Sequence, residues 1–220
     1  MFQYIQNLFQ ELNIEFLAST LQRLFAVILC LTVHETAHGF AAYLLGDRTA
    51  KREGRLSLNP LRHVDLVGLA LLFTAGFGWA KPVPVDPRHF ENPKRGMAVT
   101  ALAGPVSNFL LAILLLLICK AVLLYTNTGV FLAAVFYTCL YAAQLSIGLG
   151  LFNLLPIPPL DGSKVLAAFL PDRAYVAFMR YERYGMILLL VLTLTNVTGD
   201  LISEAIYTVY NALINLILLG

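Results

Sequence analysis

Two imidazoles and a carboxylate stand together in "LTVHETAHGF", residues 31–40. On a helix, His34 and His38 lie one turn apart on the same face, so both rings can converge on one zinc ion. Glu35 is rotated about 100° from His34, beside the metal rather than on it. That position suits a base acting on an activated water. The neighbours Cys30, Leu31, Val33, Ala37, Phe40 and Ala41 belong in lipid or in a protein core. A divalent cation offsets the desolvation of polar groups in such a place and keeps the imidazoles neutral. The bland alternative is a pair of core histidines bonded to other helices.

A catalytic zinc takes three protein ligands and keeps one open position. After His38 no acid appears until Asp47 and Glu53, in a basic loop. The better third candidate is Asp161, in "FNLLPIPPLDG", where Pro156, Pro158 and Pro159 force the backbone out of helix. Spacing alone favours an Asp-Gly turn there, and the ligand role stands beside it. In "ALAGPVSNF", Ala101, Gly104, Pro105, Asn108 and Ala112 fall on one helical face, and the small residues let another helix approach closely. Asn108 puts an amide into that contact, either as a helix–helix hydrogen bond or as a donor to a substrate carbonyl and its oxyanion. His63, in "NPLRHVD", suits a loop or capping role, and His89 carries no assigned one.

Positioning these residues falls to apolar helices. The chain has 220 residues, 59% hydrophobic and 13% charged, against about 45–50% and about 25% in soluble domains. The excess belongs in a bilayer, where a span needs about 20 mostly apolar residues. Leu24–Gly46, Met97–Cys119, Ala121–Leu160, Tyr184–Gly199 and Ala205–Gly220 are the candidates, which makes an all-α, multi-pass membrane protein of about five spans. Cys30, Cys119 and Cys139 lie inside these stretches as small buried hydrophobes rather than disulfides. No basic cluster interleaves with aromatics, which excludes nucleic acid as a partner. Residues 1–16 have no Lys or Arg and no signal-peptide pattern, and suit an amphipathic segment at the membrane surface.

Lys and Arg gather after the first span, before the second and after the third, while the connection at Tyr125–Gly129 has none. The positive-inside rule then puts the basic regions in the cytoplasm. Leu66–Ala80 must enter and leave on one side, as a re-entrant or interfacial hairpin covering a protein surface or wet cavity. "RLSLN" at Arg55–Asn59 and "KPVPV" at Lys81–Val85 alternate as strands, a small membrane-associated β ribbon. Pro82 and Pro84 blunt one edge of the second strand, and the N–H groups of Lys81, Val83 and Val85 leave the other free for a substrate peptide. The last two spans form a helical hairpin that packs.

These motifs together resemble the site-2 protease family of zinc intramembrane metalloproteases. The matching residues are His34-Glu35-Thr36-Ala37-His38, "NPLRHVDLVG", "FGWAKPVPV", Ala103-Gly104-Pro105 with Asn108, and Asn153 with Pro156, Pro158, Leu160, Asp161 and Gly162, in order. The resemblance implies one zinc per chain held by His34, His38 and Asp161, with Glu35 as catalytic base and Asn108 and Asn153 lining the site. It implies cleavage of transmembrane substrates in or near the bilayer to release regulatory domains. It also implies one membrane protease domain over 1–220: segment 1–16, a catalytic core at 17–170 and a C-terminal helical hairpin at 171–220. No PDZ-like or nucleotide-sensing part is expected, and the setting is a bacterial or archaeal cell membrane with the site open to the cytoplasm. A membrane metal transporter or metal sensor is the alternative, though the last two spans offer only Thr and Asn besides Glu204 as a polar path.

Overall fold

The computed structural model describes residues 14–75, 78–124, 129–180, 182–195 and 199–219. Helix α1 spans Ile14–Leu44 and is followed by the short α2, Thr49–Arg52, and by α3, Leu66–Ala75. Then come α4 (Pro93–Leu123), α5 (Val130–Asn153), α6 (Asp161–Ala168), α7 (Asp172–Arg180), α8 (Glu182–Leu194) and α9 (Gly199–Ile214). Among the described residues, four stretches are long and apolar enough to cross a membrane: Leu17–Leu44, Pro93–Leu123, Val130–Asn153 and Ile202–Leu219.

The span count therefore differs from the five expected. The segment expected at Tyr184–Gly199 contains α8, which has 13 residues. At 1.5 Å per residue it reaches about 20 Å, short of a hydrocarbon core of about 30 Å. The turn expected near Thr198–Asp200 and the connection near Tyr125–Gly129 lie partly outside the described residues. So does the surface segment expected at 1–16, whose residues Ile14–Phe16 are the first described turn of α1.

The core lies where α1, α4 and α5 meet, with Ile217 from the C-terminal turn closing it. Small residues line the contact: Ala26 and Cys30 on α1, Ala112 on α4, Ala142 and Ala143 on α5. They let helix axes approach closely, which is how helices associate where lipid is as apolar as leucine. The three cysteines are buried and unpaired by disulfides. Two donate to facing backbone, Cys30 to the Ala142 carbonyl and Cys119 to the Phe136 carbonyl, each at 3.6 Å. Leu110, Leu114 and Leu117 of α4 point outward and exposed, an apolar face fit for lipid.

Between α1 and α4 the chain turns back on itself. Asp65 Oδ1 accepts from the N–H groups of Val67 and Gly68, both at 2.9 Å, and so caps α3. The returning backbone at Trp79 lies so close to Gly68 that any side chain there would strike it.

The expected β ribbon is not formed: no strand occurs among the described residues. Lys81–Val85 has no regular secondary structure, and its groups bond to loops and side chains rather than to a ladder. The Lys81 N–H donates to the His63 carbonyl at 2.8 Å, and the Arg55 guanidinium donates to the carbonyls of Lys81 and Pro82 at 2.8 and 3.0 Å. Pro82 and Pro84 have no N–H to give. Arg55 meanwhile sits in a turn, its N–H donating to the Ala50 carbonyl.

The far end of this strap is held by Asp47, which is fully buried just beyond α1. Its carboxylate accepts from the N–H of Asp86 at 2.7 Å, the N–H and hydroxyl of Thr49, and His89 Nδ1 at 3.0 Å. Burial pushes the Asp47 carboxyl up, but the Thr49 and Asp86 bonds outweigh it and hold it below the usual range. A lowered native value means the stabilisation is full above the unfolded value of about 3.9 and is lost as pH falls through the native one. Asp47→Ala leaves these donors unpaired and should cost about 3 kcal/mol. Thermal unfolding in detergent at pH 7 should show that loss, and an unchanged Tm would refute the clamp.

Candidate metal centre and catalytic site

Helix α1 carries His34, Glu35 and His38 on consecutive turns, and α6 brings Asp161 at its first position. Asp161 Oδ2 lies 3.1 Å from Nε2 of both His34 and His38. One ligand atom from each of the three falls within 4.8 Å of the others, the only such group among the described residues. The imidazoles are perpendicular, with centroids 4.6 Å apart. His34 and Asp161 are buried.

The donor set fits a divalent metal. Two neutral nitrogens and one carboxylate are a common catalytic zinc set, with a position left open. The outer nitrogens are engaged as ligating histidines require. His38 Nδ1 donates to the Thr100 carbonyl at 2.7 Å, which leaves Nε2 with its lone pair toward Asp161. His34 Nδ1 lies 3.1 Å from Asn108 Nδ2, and Asn108 Oδ1 is buried without a partner. Turning that amide by 180° puts Oδ1 on His34, the orientation that accepts a proton from Nδ1 when Nε2 binds metal. Ser146 in turn donates to the Asn108 carbonyl at 2.8 Å, tying α5 to this part of α4.

Two glycines make the assembly possible. At Gly104 of α4, a Cβ would press on both His34 and His38, so only a bare backbone fits. At Gly162, a Cβ would strike the carbonyls of Leu154 and Leu155, so glycine lets α6 settle on the end of the proline segment and present Asp161. A cavity of about 370 Å³ opens over the centre, with His34, Glu35, His38, Asn153, Asp161 and Lys164 on its wall.

Glu35 borders this cavity outside the ligand group, and its Oε2 accepts the Val83 N–H at 2.9 Å. The expected free edge is thus partly occupied: the Lys81 N–H is taken by His63 and the Val83 N–H by Glu35. Asn153 lines the cavity, but its Nδ2 donates to the Leu149 carbonyl one turn back at 2.9 Å. Asn108 sits behind His34, off the cavity wall. His63, given a loop role from sequence, is buried, with Nε2 donating to the Ser57 carbonyl at 2.6 Å. Thr36 of α1 donates to the same carbonyl at 2.9 Å, so the loop is fixed beside the motif.

Sequence reasoning missed Thr100, whose part is played by its backbone and has no side-chain signature. It missed Ser146, one small polar residue in an apolar run. It also missed Leu189 of α8, which reaches the cavity wall from a segment that looked like packing alone.

Fold and site together put a possible metal-binding group among helices long and apolar enough to cross a membrane. The profile of peptidase family M50 matches residues 119–195. A Bacillus subtilis (strain 168) protein named "Putative zinc metalloprotease YwhC" is 41% identical over 174 residues, 77% of this chain and 78% of the relative. "Putative zinc metalloprotease Rip2" of Mycobacterium tuberculosis (strain H37Rv) is 30% identical over 191 residues, 84% of this chain and 70% of the relative. Its Mycolicibacterium smegmatis namesake is 29% identical over 186 residues, 82% and 69% of the two chains. No solved structure matches significantly. The chain belongs to peptidase family M50, the site-2 protease family.

Gly104→Ala should force the two imidazoles off Asp161 and lower divalent-metal affinity about 10- to 100-fold, the range for disturbed supports of metal ligands. Equilibrium dialysis with zinc measures it, and wild-type affinity would show that the helix contact does not set the site.

Proposed function

We propose that this protein is a zinc-dependent intramembrane endopeptidase that cuts transmembrane segments of membrane-anchored substrates and releases their regulatory domains. The observation that carries this reading is the convergence of His34, His38 and Asp161 beside Glu35, at a cavity among helices fit to cross a membrane. The relatives' names supply the metal, zinc. His34 and His38 through Nε2 and Asp161 through its carboxylate are its ligands. When bound, zinc supplies a Lewis acid that acidifies water and polarises the scissile carbonyl.

Glu35 takes the proton of the attacking water and passes it to the leaving amine. The Val83 N–H bond fixes where that carboxylate points. Asn108 serves by orienting His34 rather than by touching substrate, which replaces the oxyanion role read from sequence. Asn153 keeps a place on the cavity wall, where its free oxygen side can meet a substrate N–H. The site opens to the cytoplasm by the distribution of Lys and Arg. His34 lies 12 residues from Gly46, so water descends roughly 18 Å at 1.5 Å per residue.

A substrate helix must unwind before attack, and its freed backbone needs partners in lipid. The Val83 N–H faces Glu35, and Val83 and Val85 both lie on the cavity wall. An unwound substrate pairs with this side of the strap, and its carbonyl replaces Glu35 on the Val83 N–H. Membership of the protease family weighs against the metal transporter or sensor alternative.

Glu35→Gln should retain one zinc per chain and lose cleavage of a transmembrane peptide by at least about 100-fold, the scale of general-base catalysis. Asp161→Asn should lose both. Cleavage by purified Glu35→Gln at the wild-type rate would end the assignment. Val83→Pro removes the shared N–H and should lower kcat/KM at least about 10-fold with zinc content unchanged. Wild-type kcat/KM in that variant would exclude strand pairing at the strap.

A further inference from the structure

A second cavity of about 110 Å³ lies beside the catalytic one. Val27, Cys30 and Leu31 of α1 line it, with Val64 and Leu69 at α3 and Leu145 of α5. Leu31, Gly78, Trp79 and Leu149 border both cavities, so the two share a wall. Cys30, Asp65 and Trp79 carry the polar side-chain groups on this second wall, and the other lining residues are aliphatic or glycine. Asp65 Oδ1 caps α3, and the Cys30 thiol donates to the Ala142 carbonyl. A mostly aliphatic space favours apolar groups, and an apolar cavity of about 150 Å³ already holds a benzene. The volume here suits one branched aliphatic side chain.

Its place along α1 sets which side chain. Val27, Cys30 and Leu31 precede His34 by seven, four and three residues, a rise of about 5–10 Å. An extended peptide covers that in two to three residues at about 3.3 Å each. Resting on the intramembrane-protease reading, we infer that this cavity is a specificity subsite. It takes a leucine-sized aliphatic side chain of the substrate, two or three residues from the scissile bond, on the side away from the Gly46 end of α1. The shared wall makes the occupant part of the chain being cut. A lipid tail would have no fixed register against the catalytic centre.

The test uses the full chain in nanodiscs and a synthetic transmembrane peptide with a leucine-alanine core. Photo-leucine is placed at one position at a time and crosslinked to zinc-loaded Glu35→Gln. The subsite requires labelling of residues 64–69 from one or two adjacent positions, reduced about 10-fold by the cavity-filling Leu145→Phe. Equal labelling from every position, as for a lipid tail, overturns it. With the wild type, alanine at the labelling position should lower kcat/KM about 10-fold. Leu145→Phe should abolish that preference, and Leu69→Ala should move it toward phenylalanine. An unchanged leucine-to-alanine ratio in both variants overturns the subsite too, since a merely structural effect would slow all peptides alike. Pocket labelling with no cleavage by the wild type would instead overturn the protease reading and leave the pocket standing.

Discussion

One carboxylate shared between two imidazoles governs this molecule. Asp161 lies 127 residues beyond His34 in the chain, yet its Oδ2 sits 3.1 Å from both rings. Three groups that each lose hydration in an apolar bundle are tolerable only when they satisfy one another or a common ion. The close contact of α1 with α4 at Gly104 sets the rings, and the seat of α6 at Gly162 sets the acid. Removing either contact would separate the carboxylate from the two imidazoles.

Around that centre, polar groups are paired outward in short chains. Ser146 holds Asn108 and Asn108 holds His34; the Thr100 carbonyl holds His38. Thr36 and His63 meet on the Ser57 carbonyl, and the strap at residues 81–86 is pinned by His63, Arg55, Glu35 and Asp47. These bonds tie the rings to α4 and α5 and the loop at Ser57 to α1. Glu35 and the strap are thus joined by a hydrogen bond from the Val83 N–H.

Much of the site was legible in the sequence because helical geometry is local. His34 and His38 at i and i+4 must share a face, and Glu35 must stand beside them, whatever the rest of the chain does. The small face at Ala101, Gly104 and Ala112 was legible for the same reason. Asp161 was less so: spacing favoured a turn, and only the family resemblance lifted it. The strap misled because alternation looks the same whether an extended segment pairs in a sheet or is held by side chains. The fifth span misled because apolar composition does not set how long a helix runs, and α8 has 13 residues.

The sequence by itself determined the medium, the helices and the chemistry of the motif, since composition and a period of 3.6 residues need no partner to be read. Tertiary structure alone decided that Asp161 lies against both imidazoles, that Asn108 sits beside His34 and off the cavity wall, and that Glu35 is held by a backbone N–H. Each of these depends on contacts between residues far apart in the chain. No local pattern encodes them, because they follow from which faces meet when the helices pack.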